Sequence, residues 1–180
     1  GSTTSCGVIF FSTGTATGND GNYINSCQIG PAGVNLPLNG IYSLGTSAAI
    51  DNSGETINAN NIADAFNAGL QYNGMNINTG SSGWTITDNR IYQTAARTVT
   101  TANTENGIFI TAGSGYTISG NVIGYAASNA TGVMTLNSTV ALRYIGINCA
   151  FTAGGTVSNI HGNTIASVSI TTSSGATTAN

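Results

Sequence analysis

Lysine is absent from this chain, and its 180 residues hold only three arginines, one histidine and two prolines. Charged side chains make up 5% of it, against roughly 25% in a typical soluble domain. Three cations cannot neutralise a phosphate backbone, and a net charge of -3 with a pI near 4.5 points away from polyanions, so a nucleic-acid partner is excluded. Long apolar runs are missing too. The best stretches, residues 7–11 and 140–142, fall far short of the ~18 residues a membrane helix needs, so no membrane insertion is expected. The opening Gly1-Ser2 has neither a charged n-region nor an apolar h-region and reads as a mature fragment. Cys6, Cys27 and Cys149 show no C-x-x-C spacing, and His161 is their one soft companion, so no metal and no cofactor is expected.

Glycine, serine, threonine and asparagine fill the space that charge leaves, and apolar residues, 40% of the chain, return through them at short intervals. Two motifs organise that return. The first is a hexamer of the form I-x-x-[N/C]-x-I: INSCQI at 24–29, INANNI at 57–62, ITDNRI at 86–91, ISGNVI at 118–123 and IHGNTI at 160–165. The second, ahead of each hexamer, is a glycine followed by alternating residues: GVIF from Gly7, GIYS from Gly40, GMNI from Gly74, GIFI from Gly107 and GINC from Gly146. Those glycines lie 33, 34, 33 and 39 residues apart. Two motifs locked to one such period mark a repeat architecture.

The spacing inside each motif is that of strands, and Gly, Asn and Thr are poor helix formers, so the units are β-coils. Residues i and i+2 of a strand share a face, which turns Met75, Ile77, Ile108 and Ile110 inward and Asn76 and Phe109 outward. The same counting places Ile9, Tyr42 and Asn148 outward. The two isoleucines of a hexamer are five apart, an odd spacing that one straight strand cannot keep on one side. A bend is therefore expected at the third and fourth positions, where Gly, Asp and Asn tolerate a left-handed conformation.

The fourth hexamer position is Cys27, Asn60, Asn89, Asn121 and Asn163. Coils stacked about 4.8 Å apart would make the four asparagines an amide ladder, capped by Cys27. Cys6 belongs to the same first coil, so a Cys6 to Cys27 contact is within reach, whereas Cys149 lies four coils away.

With these features the chain resembles the right-handed parallel β-helices of the pectate-lyase-like superfamily, and more closely the Asn/Thr/Gly-rich coils of large secreted bacterial surface proteins. The resemblance covers roughly residues 7–170. It implies a single all-β domain over 1–180, a right-handed parallel β-helix of about five coils starting near 7, 40, 74, 107 and 146. A polar tail follows over 171–180, and the longest insertion, around 126–141, is expected as loop.

Polysaccharide-cleaving members of that superfamily gather acidic side chains on neighbouring coils. Here Asp20, Asp51, Glu55, Asp64, Asp88 and Glu105 occupy unrelated positions, and the best remaining constellation, Asp88, Arg90 and His161, spans two coils. No catalytic residue is assigned. Outward positions of the hexamers form a strip of small hydroxyl and amide groups, with Tyr23, Thr56, Thr85, Thr87, Thr117 and Ser119 as the candidate surface-binding set. Trp84, Tyr92, Tyr116 and Tyr125 flank the hexamers, either as a glycan platform or as props for loops.

No cap is legible at either end of the repeat. Val8, Ile9, Phe10 and Phe11 at one end and Val168 and Ile170 at the other are the candidate end-to-end contacts. The expectation is a non-enzymatic extracellular or cell-surface module, a segment of an adhesin, stalk or filament. A polysaccharide-binding or polysaccharide-degrading β-helix is the alternative, and an ice-binding solenoid the third reading. Partners are accordingly another end face or a glycan or surface ligand.

Overall fold

A computed structural model describes residues 7–31 and 33–172. Strands from successive coils stack into parallel sheets, as the repeat requires, and none of the described residues is helical. The long sheet contains Gly7–Ser12, Asn39–Leu44, Asn73–Ile77, Asn103–Ile110 and Leu142–Cys149 in that spatial order. The first hexamer sheet stacks Tyr23–Asn25, Thr56–Asn58, Thr85–Thr87, Thr117–Ser119 and Asn159–His161. The second stacks Gln28–Ile29, Asn61–Ala63, Arg90–Tyr92, Val122–Gly124 and Thr164–Ala166. A three-stranded sheet of Arg97–Val99, Met134–Ser138 and Val168–Thr172 lies beyond them, and Asn52–Ser53 pairs with Ser81–Ser82. The chain is a parallel β-helix of five coils.

The bend inside each hexamer falls at its third position. Ser26, Ala59, Asp88, Gly120 and Gly162 all have φ between 54° and 66°. That left-handed residue turns the chain from one hexamer sheet to the next, so both isoleucines point inward despite their odd spacing. Ile57, Ile86 and Ile118 are fully buried, as are Ile62 and Ile123 to within 1%.

The glycine that opens the long strands has a steric cause. A Cβ on Gly40, Gly74 or Gly107 would stand 2.5–2.6 Å from the carbonyl oxygen of the next glycine in the row and as close to the second hexamer isoleucine of its own coil. In the first coil the register differs from the expected one. Gly7 lies opposite Asn39, so Val8 takes the glycine's place, Ile9 lines up with the inward row of Ile41, Met75, Ile108 and Ile147, and Phe10 joins the outward row of Tyr42, Asn76, Phe109 and Asn148. The outward assignment of Ile9 is thus corrected. Strand alternation overrides the shared glycine as the marker of register.

Two further expectations change. The insertion around 126–141 contains the strand Met134–Ser138, whose Met134 and Leu136 point into the core. The segment expected as a tail begins inside the strand Val168–Thr172, with Val168 and Ile170 stacked on Met134 and Leu136. Residues 173–180 and Cys6 lie outside the described residues.

Candidate functional site

Hydrogen bonds through the hexamer corner form a continuous amide ladder. The backbone N–H of Cys27 donates to Asn60 Oδ1 at 2.9 Å, that of Asn60 to Asn89 Oδ1, that of Asn89 to Asn121 Oδ1, and that of Asn121 to Asn163 Oδ1, each at 3.0 Å. Every asparagine Nδ2 reaches back to a carbonyl of the preceding coil, Ile24, Ile57, Ile86 or Ile118, at 2.8–3.0 Å. Asn60, Asn89 and Asn121 are fully buried, so these bonds satisfy polar groups that water cannot reach. Cys27 ends the ladder with its backbone alone. Its thiol is free and exposed, and approaches the Asn25 carbonyl at 3.3 Å.

A second ladder was not foreseen. Asn73 Nδ2 donates to Asn39 Oδ1, Asn106 Nδ2 to Asn73 Oδ1, and Asn148 Nδ2 to Asn106 Oδ1, at 2.8–3.0 Å. Its signal stands in the sequence as the Asn-Gly pairs at 39–40, 73–74 and 106–107. Among the described residues neither ladder has an amide in the first coil, where Gly7 stands opposite Asn39 and the Cys27 N–H takes the hexamer place.

Two carboxylates lie in the interior. Glu55 Oε2 accepts the N–H of Asn22 and Glu105 Oε2 that of Tyr72, both at 2.6 Å and both from a residue 33 earlier in the chain. Glu105 stands between Tyr72 and Tyr144 in one inward row, and its Oε1 and the Tyr72 hydroxyl have no hydrogen-bond partner. Burial pushes the Glu105 carboxyl up to about 8, and burial also raises Glu55. Asp64 pairs instead with Arg97 and accepts from the N–H and hydroxyl of Thr94 at 2.8 and 2.7 Å. Arg97 lies over the Phe66 ring, 5.5 Å from its centroid, so this ion pair fastens a loop to the coil surface. Asp88, Arg90 and His161 are not brought together. No ion pair or side-chain hydrogen bond joins them among the described residues, and Asp88 instead lies against the backbone of Gly120.

The surface strip does assemble. Tyr23, Thr56, Thr85, Thr117 and Asn159 form one outward row, and Asn25, Asn58, Thr87, Ser119 and His161 the parallel one. Three of the four flanking aromatics, Trp84, Tyr92 and Tyr116, do not form a platform beside it, and Tyr125 is half-buried. Trp84 and Tyr116 are fully buried and Tyr92 nearly so. Trp84 Nε1 donates to the Asn52 carbonyl at 2.9 Å, and the Tyr116 hydroxyl to that of Ser81 at 2.8 Å. Their apolar bodies fill the coil interior and their polar tips close backbone positions.

The two ends differ. At the first coil Phe11 is buried, in an edge-on contact with Trp84, and offers no outer surface. Val8 and Phe10 are about half exposed, and Phe10 rests on Tyr42. Among the described residues nothing covers the inward face of the last coil. Ile160 and Ile165 are 46% and 52% exposed, whereas the equivalent Ile118 and Ile123 are at 0%. A hollow of about 510 Å³ lies there, lined by Tyr144, Gly146, Ile147, Ile165, Val168 and Ile170. A separate groove of about 470 Å³ on the flank is walled by small hydroxyl side chains, among them Thr46, Thr79 and Thr152, with Asp51 hydrogen-bonded to Ser82.

No family model, curated protein or solved structure matches the chain.

Proposed function

We propose that the chain is a non-enzymatic, extracellular structural module, a segment of a bacterial surface adhesin, stalk or filament that associates end to end with β-coils of its own kind. The observation that carries this reading is the last coil, whose inward face no described residue covers. Inward isoleucines that are sealed in every interior coil stand half exposed at residues 160 and 165, above an apolar hollow. Apolar surface of that kind, bordered by unpaired strand edge, is what another coil covers. The near absence of charge fits a surface that does not rely on ion pairs.

The test is binding of a synthetic peptide spanning residues 73–105, one full interior coil, to the intact chain and to its Ile165→Asp variant. Binding that the variant abolishes supports the reading, and binding that is absent or indifferent to the variant overturns it.

The flank groove favours a second reading, glycan binding, because a wall of hydroxyls beside a carboxylate suits a neutral saccharide. Screening neutral and acidic glycans against the wild type and Thr79→Val tests it. A saccharide whose affinity falls in the variant is the supporting result.

A further inference from the structure

Two packing requirements meet at the start of three successive long strands and write the same dipeptide each time. Asn39, Asn73 and Asn106 are rungs of the second ladder. Gly40, Gly74 and Gly107 follow them because a Cβ there would strike the next glycine carbonyl and a hexamer isoleucine. The fold therefore needs Asn-Gly at 39–40, 73–74 and 106–107. Asn-Gly is also the pair in which a backbone nitrogen most readily attacks the preceding side-chain amide, because glycine places no side chain beside that nitrogen and leaves the backbone free to turn.

In the folded coils that attack is blocked three times over. Each pair lies in a paired strand, Asn39–Leu44, Asn73–Ile77 or Asn103–Ile110, whose extended backbone carries the glycine nitrogen away from the asparagine side chain. The three asparagines are no more than 2% exposed. Their amides are also clamped head to tail. Asn73 is held between Asn39 and Asn106 at 2.8 and 2.9 Å, and Asn106 between Asn73 and Asn148 at 2.9 and 3.0 Å.

We infer that the Asn-Gly pairs at 39–40, 73–74 and 106–107 are modification sites opened by unfolding, at which the chain turns its own asparagine into aspartate or isoaspartate and thereby loses the ability to refold. Once strand, burial and ladder are gone, the glycine N–H gives its proton to base and the nitrogen bonds to the asparagine Cγ. The Cγ–Nδ2 bond breaks and ammonia leaves, closing a succinimide ring. Water then opens the ring at either carbonyl, so asparagine and water become a carboxylic acid and ammonia with no change of oxidation state. Neither product fits the coil. Aspartate at 73 sets a carboxylate oxygen against Asn39 Oδ1, two acceptors with no proton between them where water does not reach. Isoaspartate lengthens the main chain by one carbon and throws the strand after it out of register.

The experiment incubates the intact chain folded at pH 7.5, unfolded in urea at pH 7.5, and unfolded in urea at pH 5, where little base is present to free the glycine nitrogen. Mass spectrometry of the digested chain follows the three pairs, and anion exchange separates chains that have gained a carboxylate. Each fraction is then diluted from urea and its refolding read by circular dichroism. Modification is expected at all three pairs at least fiftyfold faster in urea at pH 7.5 than in the folded chain, and to be slow at pH 5. The unmodified fraction refolds and the modified one does not. Equal rates in the folded and unfolded chain would show that the coils do not shield the pairs, and refolding of the modified fraction would show that the ladder accepts aspartate; either result overturns the inference. So does a chain that fails to refold from urea at pH 5 with its asparagines intact, because the one-way step then lies elsewhere.

Discussion

Glu105 holds the backbone N–H of Tyr72 at 2.6 Å with one carboxyl oxygen while its other oxygen, fully buried, has no partner. A carboxylate so placed is stable only with its proton, and burial pushes it up to about 8. In the folded chain the group then binds its proton more tightly than in the unfolded chain, so its contribution is most favourable at acid pH. It declines as pH rises from the ordinary carboxyl range through about 8. Glu55 acts in the same direction. The unfolding free energy of the wild type is expected to fall between pH 5 and pH 9 by an amount on the order of 2–4 kcal/mol, and its Tm to fall with it. Glu105→Gln keeps the acceptor for Tyr72 and flattens most of that slope. A wild-type Tm that rises with pH over this range contradicts the argument.

Asn89 is the middle rung of the hexamer ladder, accepting from Asn60 and donating to the Ile57 carbonyl at 2.8 Å. Asn89→Ala takes the acceptor from the buried Asn60 N–H and the donor from the Ile57 carbonyl, both on the preceding coil, and should destabilise by about 2–4 kcal/mol. Asn89→Asp, which turns a carboxylate toward the Ile57 carbonyl, should cost more. Thr85→Ala on the outward strip is the reference, expected within about 0.5 kcal/mol of wild type. Urea unfolding orders the three.

Gly74 and Gly54 separate two reasons for glycine. Gly54 has φ +66° with open space where a Cβ would go, so Gly54→Ala costs about 1 kcal/mol of backbone strain. Gly74 has no unusual φ, yet a Cβ there would meet Ile91 Cγ2 at 2.5 Å and the Gly107 carbonyl at 2.6 Å. Gly74→Ala should therefore lose more than 2 kcal/mol, or fail to fold, and a smaller loss than Gly54→Ala would show that the coils separate easily.

The two described cysteines should label at very different rates. Cys27 is exposed, whereas the Cys149 thiol is partly buried and pushed up to about 11 by that burial. In a Cys6→Ser background, maleimide at pH 7.5 is expected to modify Cys27 at least a hundredfold faster than Cys149, read by mass spectrometry of the digested chain. Comparable rates would mean that the last coil opens readily.

Much of the fold was legible because a coil can bury only what recurs at one place in every coil. The hexamer isoleucines, the corner residue and the asparagine ladder all recur, and Ile86, Asp88 and Asn89 stand where their spacing puts them. Features that occur once, or that join different positions, were not legible. Glu105 reaches a backbone donor on the coil before it, Arg97 crosses from a strand of its own to Asp64, and the second ladder ends by switching to Asn148, two residues past the glycine that marks its row. The register slip at Gly7 has the same origin. A single glycine is a weaker constraint than the alternation of Ile9 and Phe11.

The two files of asparagine amides also have an electrical consequence. Each is a row of aligned dipoles at coil spacing, in which every bond polarises its neighbours. In the hexamer corner the amide-to-amide bonds run toward the C-terminal coil, while each Nδ2 also donates back to the coil before it, and along the long sheet the amide-to-amide bonds run toward the N-terminal coil. In a chain with almost no ionic charge, the two files of amide-to-amide bonds thus run in opposite senses, and their contributions along the coil axis oppose rather than reinforce each other.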